Sequence, residues 1–484
     1  MAYKNTIPMA FTEVTSENVL GLTEPILKAI GQAQYIALDT EFSGHCPTIT
    51  KHMEQRYQAI SKIIRTHTLF SFGLTIISKQ QQDETQYQFT NLEFLTRNQR
   101  TFEVDPNNIK FLAENGLDFG RVFQYGIPFV GGNSSTNDSN IDNATKVIRH
   151  LWYRILQIIR ENSIPIVVHN GLLDIMYLYQ SFFASLPENW SSFVADLVEM
   201  FPAGVYDTKY LSTSVVGESK SFLAYLYCKY HRQQQEQQQK NRDQSWSVQV
   251  LPPLMSISSS SHSSPIENSP LCTTSTESVV NTDGSNRHDS TDSPASKRRK
   301  RARKMTSKKE SKTGICGPYS QHGWCKYGKD CPLSHDLTLI LDYDLGIQMD
   351  NKNKDNDDDS KIDKNGPDLL GNSLDDNTDV KPLSATSATT TQTNKDNDNQ
   401  DVMSSSMQEW TPRRDHSAHF DAYMTAFIFC HFLSTLPADE LPTHINKVNL
   451  MRLDIPLRLV QSHYAKPSLE WTRLKSELWP SSLE

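Results

Sequence analysis

The chain has 484 residues, a formal net charge of −8 and a hydrophobic content of 37%, with a mean hydropathy of −0.55. The length allows two or three domains, but the hydrophobic content is low for one packed globule and indicates substantial unfolded sequence. The acidic balance argues weakly against a generic nucleic-acid-binding protein, because such proteins usually carry a basic excess. Seven cysteines in a chain of this length do not suggest a disulfide framework.

Neither secretion nor membrane insertion is expected from the sequence. Residues 1–20 lack the basic start and apolar core of a signal peptide. No run of about 18 apolar residues is available to span a membrane. We therefore expect an intracellular, reducing compartment.

The globular parts of the chain show alternating helical and strand patterns. Apolar residues at helical spacing predict a first helix, and the short apolar run that follows suits a buried central strand. The order of the elements predicts an α/β fold with a mixed sheet flanked by helices. The predicted elements are a helix over 16–30, strands over 35–38, 69–77 and 87–94, a helix over 144–160, a strand over 164–168, and helices over 172–183 and 418–433.

A long insertion interrupts this pattern. From Arg232 the composition becomes rich in Gln and then Ser, and an Asp/Asn-rich tract covers 350–400. Such segments cannot bury enough apolar surface to offset the entropy of ordering, so we expect them to be disordered. The predicted organisation is a first folded part (1–231), a linker (232–311), a small separate segment (312–340), a second linker (341–404) and a C-terminal part of the first domain (405–484).

Two carboxylates follow the first predicted strand directly. Adjacent strand residues alternate between faces, so Asp39 and Glu41 point to the same side. Two carboxylates that close repel each other unless a cation binds between them. A solvated strand end is the alternative, but the chain holds no other Asp-x-Glu pair, and this one follows a buried strand.

Two further carboxylates lie at helix starts. Asp174 ends the segment 169–174 (HNGLLD), where a strand turns into a helix, and an acidic residue there can also be a simple helix-dipole partner. Asp421 enters an otherwise apolar helix, where a charged group needs a partner that a metal would supply. A set of carboxylates with one histidine suits an enzyme that holds two divalent metals and hydrolyses phosphodiesters. Spacing does not select the histidine, because His169 and His416 each precede an Asp by five residues and His419 is a third candidate.

These segments together resemble a known family. Residues 39–44 (DTEFSG), 169–174 (HNGLLD) and 416–425 (HSAHFDAYMT) are similar to the three exonuclease motifs of the DEDD-superfamily ribonucleases. The resemblance is to the deadenylase branch that contains poly(A)-specific ribonuclease, and it extends to residues 111–129 and 201–211.

The resemblance implies a ribonuclease H-like fold and the histidine-containing subclass, with the general base at His416. His169 then becomes a structural residue, His419 a helix-surface residue and Asp207 a structural carboxylate. It also implies two Mg²⁺ or Mn²⁺ ions per active site, which suit an all-oxygen ligand set. The implied catalytic residues are Asp39, Glu41, Asp174, His416 and Asp421, of which the four carboxylates hold the metals.

A second metal site is predicted inside the insertion. Cys316, Cys325, Cys331 and His335 supply three thiolates and one imidazole within twenty residues, which is the ligand set of a tetrahedral structural zinc site. The stretch has almost no apolar core, so Zn²⁺ would drive its folding. The spacing resembles a CCCH zinc finger.

The finger also carries aromatic residues among cations. Tyr319, Trp324 and Tyr327 alternate with lysines, so they could stack single-stranded bases. Alternatively, they could only cover the metal site. The basic octamer 297–304 suits a nuclear-import signal, an RNA contact, or both.

A DEDD nuclease with an inserted finger and a basic signal resembles a nuclear group of deadenylases that concentrate in Cajal bodies. The resemblance implies a 3′-to-5′ exoribonuclease that trims oligo(A) tails of small nuclear and other non-coding RNAs in the nucleus, including Cajal bodies or the nucleolus. Related deadenylases can dimerise, so a homodimer and a monomer are both open, and no membrane partner is expected. Two alternatives are a non-catalytic RNA-binding adaptor with this fold and an exonuclease acting on DNA or very short oligonucleotides.

Overall fold

The computed structural model describes residues 10–45, 50–80, 83–132, 143–240, 245–255, 314–346, 417–450, 453 and 455–478. The chain divides into two compact units. One comprises Pro8–Leu341 and Pro412–Glu484, and the other comprises Met1–Ile7 and Asp342–Thr411. Of the second unit, the structure describes only 342–346, where a helix ends. Within the described ranges, no helix combines the length and apolar character needed to cross a membrane.

The secondary structure follows the predicted order and adds elements to it. The strands are β1 Thr12–Val14, β2 Tyr35–Phe42, β3 Leu69–Gln80, β4 Asp83–Asn98, β5 Ile127–Phe129, β6 Ile166–Val168, β7 Val205–Asp207, β8 Ser247–Val250, β9 Lys447–Val448 and β10 Leu457–Arg458. The helices are α1 Val19–Gly31, α2 Met53–Thr66, α3 Pro106–Glu114, α4 Phe119–Tyr125, α5 Asn143–Glu161, α6 Leu172–Leu178, α7 Trp190–Met200, α8 Thr208–Tyr210, α9 Leu223–Lys240, α10 Gly317–His322, α11 Leu337–Asp344, α12 Ala418–Thr435 and α13 Leu469–Leu478.

A mixed sheet in the order β1-β4-β3-β2-β6-β7 forms the centre of the larger of these two units. The strand β3 runs antiparallel to both β2 and β4, whereas β6 and β7 are parallel to β2 and to each other. The strands β5 and β8 add to β4 in parallel. This arrangement confirms the predicted α/β fold with a mixed sheet.

Helices cover both faces of the sheet because successive strand residues point to opposite sides. On one face, Phe72 stacks on Phe94 with centroids 4.3 Å apart and meets Trp152 of α5. On the other face, Tyr35 of β2 meets Phe429 of α12 at 4.9 Å. Burying each large apolar side chain contributes about 1.5–3 kcal/mol to the free energy of folding. The buried side chains of α12 therefore supply a large part of the stability of the core. This helix is apolar on all sides, as expected of a buried helix.

The first linker begins later than predicted. The sequence indicates disorder from Arg232, but α9 continues to Lys240 and β8 pairs with β4. Gln is a good helix former, and aromatic residues anchor this part of the chain on α12: Tyr230 stacks on His431 at 4.0 Å, and buried Trp246 meets Phe427 at 5.0 Å. Residues 241–244 and the linker residues from 256 onwards, including the basic octamer 297–304, lie outside the described residues.

Candidate active site

The strand β2 presents two carboxylates to the face that α12 covers. Asp39 and Glu41 lie on the same side of the strand, and Asp421 lies in the first turn of α12. One oxygen from each of these three residues lies within 4.8 Å of the others. We call these three residues the carboxylate cluster. Three carboxylate oxygens so close together, two of them on largely buried side chains, could hold a cation that takes oxygen ligands.

The approach of α12 depends on a glycine in β3. Gly73 pairs with Asp39 across the sheet, so it lies directly beside the cluster. A β-carbon at Gly73 would lie 2.1 Å from the carbonyl oxygen of Ala418 and 2.4 Å from the amide nitrogen of His419. The start of α12 therefore fills the space that a side chain would occupy, and this brings Asp421 to the end of β2.

Asp174 reaches the same region from another side. It lies in the first turn of α6 and is buried, and its Oδ1 accepts hydrogen bonds from the Thr40 amide at 3.1 Å and the Thr40 hydroxyl at 2.6 Å. Thr40 lies between the two strand carboxylates and points to the opposite face. Asp174 is consequently fixed beside β2 but is not among the three residues whose oxygens lie within 4.8 Å.

Burial and mutual repulsion perturb the acidity of these groups. Burial raises the pKa of Asp39 well above its usual value, and the charges of Asp174, Asp421 and Glu41 raise it further. Burial likewise raises the pKa of Glu41, with added repulsion from Asp421. Burial raises the pKa of Asp174 to about 6, although the Thr40 hydrogen bonds oppose the shift. A divalent cation would remove this repulsion and favour the ionised forms.

One carboxylate near the site is missed by the sequence analysis. Glu93 lies in β4, pairs with Gly73 and is buried, and its charge also raises the pKa of Glu41. The sequence signal is an acidic residue inside the short apolar run 92–95 (LEFL), which needs a partner when buried. Its position opposite Asp39 becomes visible only through the register of three strands.

The three candidate histidines occupy different positions. His416 lies outside the described residues. His169 joins two segments: its Nε2 lies 3.1 Å from the Ser221 carbonyl and its Nδ1 2.9 Å from the Thr208 hydroxyl. Because a carbonyl only accepts, Nε2 carries the proton in the neutral ring, and burial lowers the pKa of His169 to about 3. These contacts agree with the predicted structural role of His169.

His419 differs from the prediction of a helix-surface residue. The side chain is buried, its Nδ1 lies 2.8 Å from Glu93 Oε2, and its ring stacks on Phe11 with centroids 3.8 Å apart. The prediction is wrong because Gly73 lets α12 approach the sheet so closely that this side of its first turn also packs on β4.

Asp207 holds backbone from two distant parts of the chain. Its Oδ1 accepts hydrogen bonds from the amides of Asn170, Lys209 and Tyr210 at 2.9, 2.8 and 3.3 Å, and its Oδ2 accepts one from Asn449 at 2.8 Å. Burial nevertheless raises the pKa of Asp207 to about 6. These contacts agree with its predicted structural role, and they tie the segment after the insertion to the segment around 170.

The cysteine–histidine segment gathers its four candidate ligands into one cluster that could hold a metal ion. The ligand atoms of Cys316, Cys325, Cys331 and His335 all lie within 4.8 Å of one another. Burial and the neighbouring thiols raise the pKa of Cys316 to about 11, while backbone amides, Tyr327 first, lower the pKa of Cys325. Three sulfurs and one imidazole match the ligands that Zn²⁺ prefers, and a bound cation would hold the sulfurs as thiolates.

The aromatic residues of the finger divide into two groups. Tyr319 stacks on His335 at 4.1 Å and meets Phe222 at 6.0 Å, so it covers the metal site and contacts the loop before α9. Trp324 and Tyr327 are 62% and 54% exposed, and the Lys326 ammonium lies 4.7 Å from the Tyr327 ring centroid. The second group forms an exposed aromatic and basic face.

A family comparison decides the class of this protein. The model of the CAF1 family ribonucleases matches residues 14–151 and 133–429. This chain belongs to the CAF1 ribonuclease family. The predicted membership of a DEDD-type ribonuclease family is therefore confirmed at the family level. The matched ranges of this CAF1 family chain include the carboxylate cluster, Asp174 and Glu93.

Curated relatives of the CAF1 family chain match over shorter segments. Poly(A)-specific ribonuclease PARN of Xenopus laevis is 31% identical over 134 residues, which are 24% of this chain and 21% of that protein. The pre-piRNA 3′-exonuclease trimmer of Bombyx mori is 33% identical over 61 residues, 13% of this chain and 11% of that protein. The matched segment thus spans about a fifth of the PARN relatives.

A solved structure of low sequence identity also matches this CAF1 family chain. A structure of S. pombe Pop2p in an Mg²⁺- and Mn²⁺-bound form is 19% identical, with a TM-score of 0.36. The likeness covers 46% of this chain and 82% of the Pop2p chain.

Proposed function

We propose that this chain is a metal-dependent 3′-to-5′ exoribonuclease of the deadenylase type, which releases 5′-mononucleotides. The observation that carries the proposal is the carboxylate cluster at the meeting point of β2 and α12 in a chain of the CAF1 ribonuclease family. The raised pKa values of Asp39 and Glu41 add support, because such crowding is costly without a cation.

The proposal includes two Mg²⁺ or Mn²⁺ ions per active site. Asp39, Glu41 and Asp421 offer oxygen ligands within 4.8 Å of one another, and Asp174 stands beside them on Thr40. Oxygen-only ligands favour hard cations such as Mg²⁺ and Mn²⁺ over Zn²⁺. When bound, the ions activate water and neutralise charge on the scissile phosphate and the departing 3′-oxygen.

The remaining chemistry belongs to side chains of this protein. In the proposal, His416 takes the proton of the attacking water, a role that general bases perform with a gain of about 10²–10⁴-fold in rate. His169 is a poor alternative, because both of its ring nitrogens lie within hydrogen-bond distance of Thr208 and Ser221. His419 is another poor alternative, because its Nδ1 lies against Glu93.

The substrate proposal is more specific. We infer that the chain trims oligo(A) tails of small nuclear and other non-coding RNAs, like the nuclear CCCH-finger deadenylase called the target of early growth response protein. Localisation in the nucleus, with Cajal bodies and the nucleolus as sites, rests on this resemblance and on the basic octamer 297–304. A homodimer is a further prediction drawn from related deadenylases.

The finger is proposed to bind Zn²⁺ and to contact RNA. Its exposed face of Trp324, Tyr327 and Lys326 offers stacking surfaces and a positive charge, which suit single-stranded RNA. Tyr319 is excluded from this role because it packs on His335 and Phe222.

The test uses the purified full chain with 5′-labelled RNAs that end in oligo(A), oligo(U) or no tail, with and without Mg²⁺. We expect shortening from the 3′ end that requires Mg²⁺ and is fastest on oligo(A). His416→Ala should lower the rate by about 10²–10⁴-fold. Retention of near-normal Mg²⁺-dependent trimming by Asp39→Ala would contradict the assignment.

Each alternative predicts another result in the same assay. A non-catalytic adaptor would bind the tailed RNA and leave its length unchanged with Mg²⁺. A DNA exonuclease or an enzyme of very short oligonucleotides would degrade a matched DNA strand or a dinucleotide faster than the tailed RNA.

A further inference from the structure

The first turn of α12 is held from the side opposite to the carboxylate cluster. Three buried or partly buried side chains meet there: His419 Nδ1 lies 2.8 Å from Glu93 Oε2, and the His419 ring stacks on Phe11 at 3.8 Å with an interplanar angle of 18°. We call Phe11, Glu93 and His419 the first-turn clamp. Phe11 directly precedes β1, which pairs with β4 next to Glu93.

The clamp and the cluster lie on the two sides of one narrow space. Asp39, Gly73 and Glu93 are directly paired across β2, β3 and β4, and the central glycine leaves a gap in the row of side chains. The backbone of Ala418 and His419 fills this gap.

The helix geometry couples the two sides. Residues two positions apart in an α-helix differ by about 200° around the helix axis. His419 and Asp421 therefore point in nearly opposite directions from the same turn. His419 reaches β4, and Asp421 reaches β2. A rotation of this turn that breaks the contact to Glu93 would therefore also move Asp421 away from Asp39 and Glu41.

Burial gives the contact between Glu93 and His419 energetic weight. A buried carboxylate is costly without a polar or cationic group nearby, so Glu93 favours the helix rotation that keeps His419 Nδ1 within ion-pair distance. The same helix offers a contrast in His431, which is also buried and stacked, on Tyr230 at 4.0 Å. Among the described residues, no carboxylate forms an ion pair with His431, and its role is packing.

We propose that the first-turn clamp sets the rotation of α12 and thereby places Asp421 in the carboxylate cluster. Glu93 and His419 are then positioning residues of the nuclease site. The inference rests on the proposed function, but its first test measures only the affinity of the site for a divalent cation. Partners that orient a metal ligand typically change metal affinity by 10–100-fold when they are lost.

The experiment measures Mn²⁺ binding to the full chain without RNA, by the electron paramagnetic resonance signal of free Mn²⁺. Only the binding that Asp39→Asn removes is counted. We expect His419→Phe, which keeps a ring for stacking on Phe11, to weaken this binding about tenfold. Glu93→Leu should do the same, and the double variant should be no weaker than either single one, because each change breaks the same contact.

Two further variants separate positioning from folding. Glu93→Gln keeps a group that pairs with either state of the imidazole, so its Mn²⁺ affinity should stay close to that of the unaltered chain. His431→Phe is the matched control, since it alters a buried stacked histidine of the same helix and should leave the affinity unchanged. If His419→Phe does not fold, the comparison of Glu93→Leu with Glu93→Gln carries the test.

Activity then provides a second readout. With oligo(A) RNA and saturating Mn²⁺, kcat of His419→Phe should return towards that of the unaltered chain, because the proposal gives the clamp no role beyond placing Asp421. Unchanged Mn²⁺ affinity in folded His419→Phe and Glu93→Leu, or equal loss in His431→Phe, would overturn the proposal. Mn²⁺ binding by the unaltered chain without RNA cleavage would instead contradict the proposed function and leave the clamp standing.

Discussion

The α-carbon of Gly73 faces the carbonyl of Ala418 so closely that a β-carbon there would lie 2.1 Å from the oxygen. This relationship joins the centre of the sheet to a helix that begins 345 positions later in the numbering. Because the obstructing atoms belong to backbone, they cannot move aside as the end of a flexible side chain can. The close approach places Asp421 opposite the end of β2.

Gly73→Ala should consequently damage both stability and activity. We expect a loss of about 1–3 kcal/mol in the free energy of unfolding, as for other overpacked cores, and a strong fall in Mg²⁺-dependent trimming. Urea denaturation and the RNA assay measure the two effects. Gly31→Ala is the control, because a β-carbon there meets nothing within 4 Å. Equal stability of the two variants would contradict this account of α12 packing.

Neutralising the carboxylate cluster should separate stability from activity. Asp39→Asn or Asp421→Asn removes one charge from a mutually repelling group, so the metal-free protein should melt at a higher temperature. The same changes should lower the rate by more than about 100-fold, since even partners of metal ligands are worth 10–100-fold. Thermal melting and the trimming assay measure both quantities.

Asp207→Asn provides the contrast to these variants. Asp207 accepts four backbone hydrogen bonds and has no part in the cluster. Its replacement should lower the melting temperature, because an amide group offers fewer acceptor sites. A higher melting temperature for Asp207→Asn, or a lower one for Asp39→Asn, would disagree with the assigned roles.

The effect of a divalent cation on stability should increase with pH. Burial and repulsion raise the pKa of Asp39 and Glu41, and burial raises the pKa of Asp174 to about 6. The unfolded carboxyls ionise near pH 4, so these groups favour folding below that pH and lose this contribution as the pH rises through about 6. A cation favours the ionised groups, so its stabilising effect grows over the same range.

The measurement is the melting temperature with and without Mn²⁺ at about pH 5 and about pH 7.5. We expect the Mn²⁺-induced increase to be larger at the higher pH. Asp39→Asn should show little of this growth. An Mn²⁺ effect that is independent of pH would indicate binding elsewhere.

The exposed face of the finger should affect RNA affinity but not the nuclease reaction itself. Trp324→Ala and Tyr327→Ala should each weaken binding of oligo(A) RNA by about 1–3 kcal/mol, the usual contribution of a base stacked on an aromatic side chain. Zinc removal by a chelator should have at least the same effect, because the finger has almost no core of its own. Filter binding and trimming of a short oligoadenylate measure the two properties.

Tyr464→Ala is the matched control, because Tyr464 is 90% exposed and lies outside the finger. It should leave RNA affinity unchanged. Zinc loss without any change in RNA affinity would exclude RNA binding by the finger.

The parts of the larger unit before and after the insertion should depend on each other for folding and activity. Residues 1–255 alone lack α12, so they lack Asp421 and expose the apolar face formed by Tyr35 and Phe89. We expect this fragment to be inactive and poorly soluble, and co-expression with 405–484 to restore both properties. Gel filtration and the trimming assay measure the outcome. An active, monomeric fragment 1–255 would show that α12 is dispensable.

Much of the fold follows from local patterns. The strands 69–77 and 87–94 and the helices 144–160 and 418–433 lie within β3, β4, α5 and α12, because apolar periodicity is a local property. The disorder predicted from the Gln-rich composition is wrong for this part of the chain, because aromatic contacts from Tyr230 and Trp246 hold it against α12.

The carboxylate cluster could be predicted in part. The Asp-x-Glu pair follows from strand alternation, and the family resemblance adds Asp174 and Asp421. The role of Asp174 in a hydrogen bond to Thr40, the carboxylate of Glu93 and the buried position of His419 could not be predicted, because they depend on strand register and on the approach of a distant helix.

The sequence by itself determined the class of chemistry and the ligand types: paired carboxylates on one strand face, and three cysteines with one histidine at short spacing. Those features are encoded within a few residues, where covalent geometry fixes the relative positions of side chains. Only the tertiary structure decided that Asp421 joins Asp39 and Glu41 while His419 turns to Glu93. This arrangement depends on the missing side chain at Gly73, because the first turn of α12 occupies that space. Packing against the sheet then fixes the rotation of the helix.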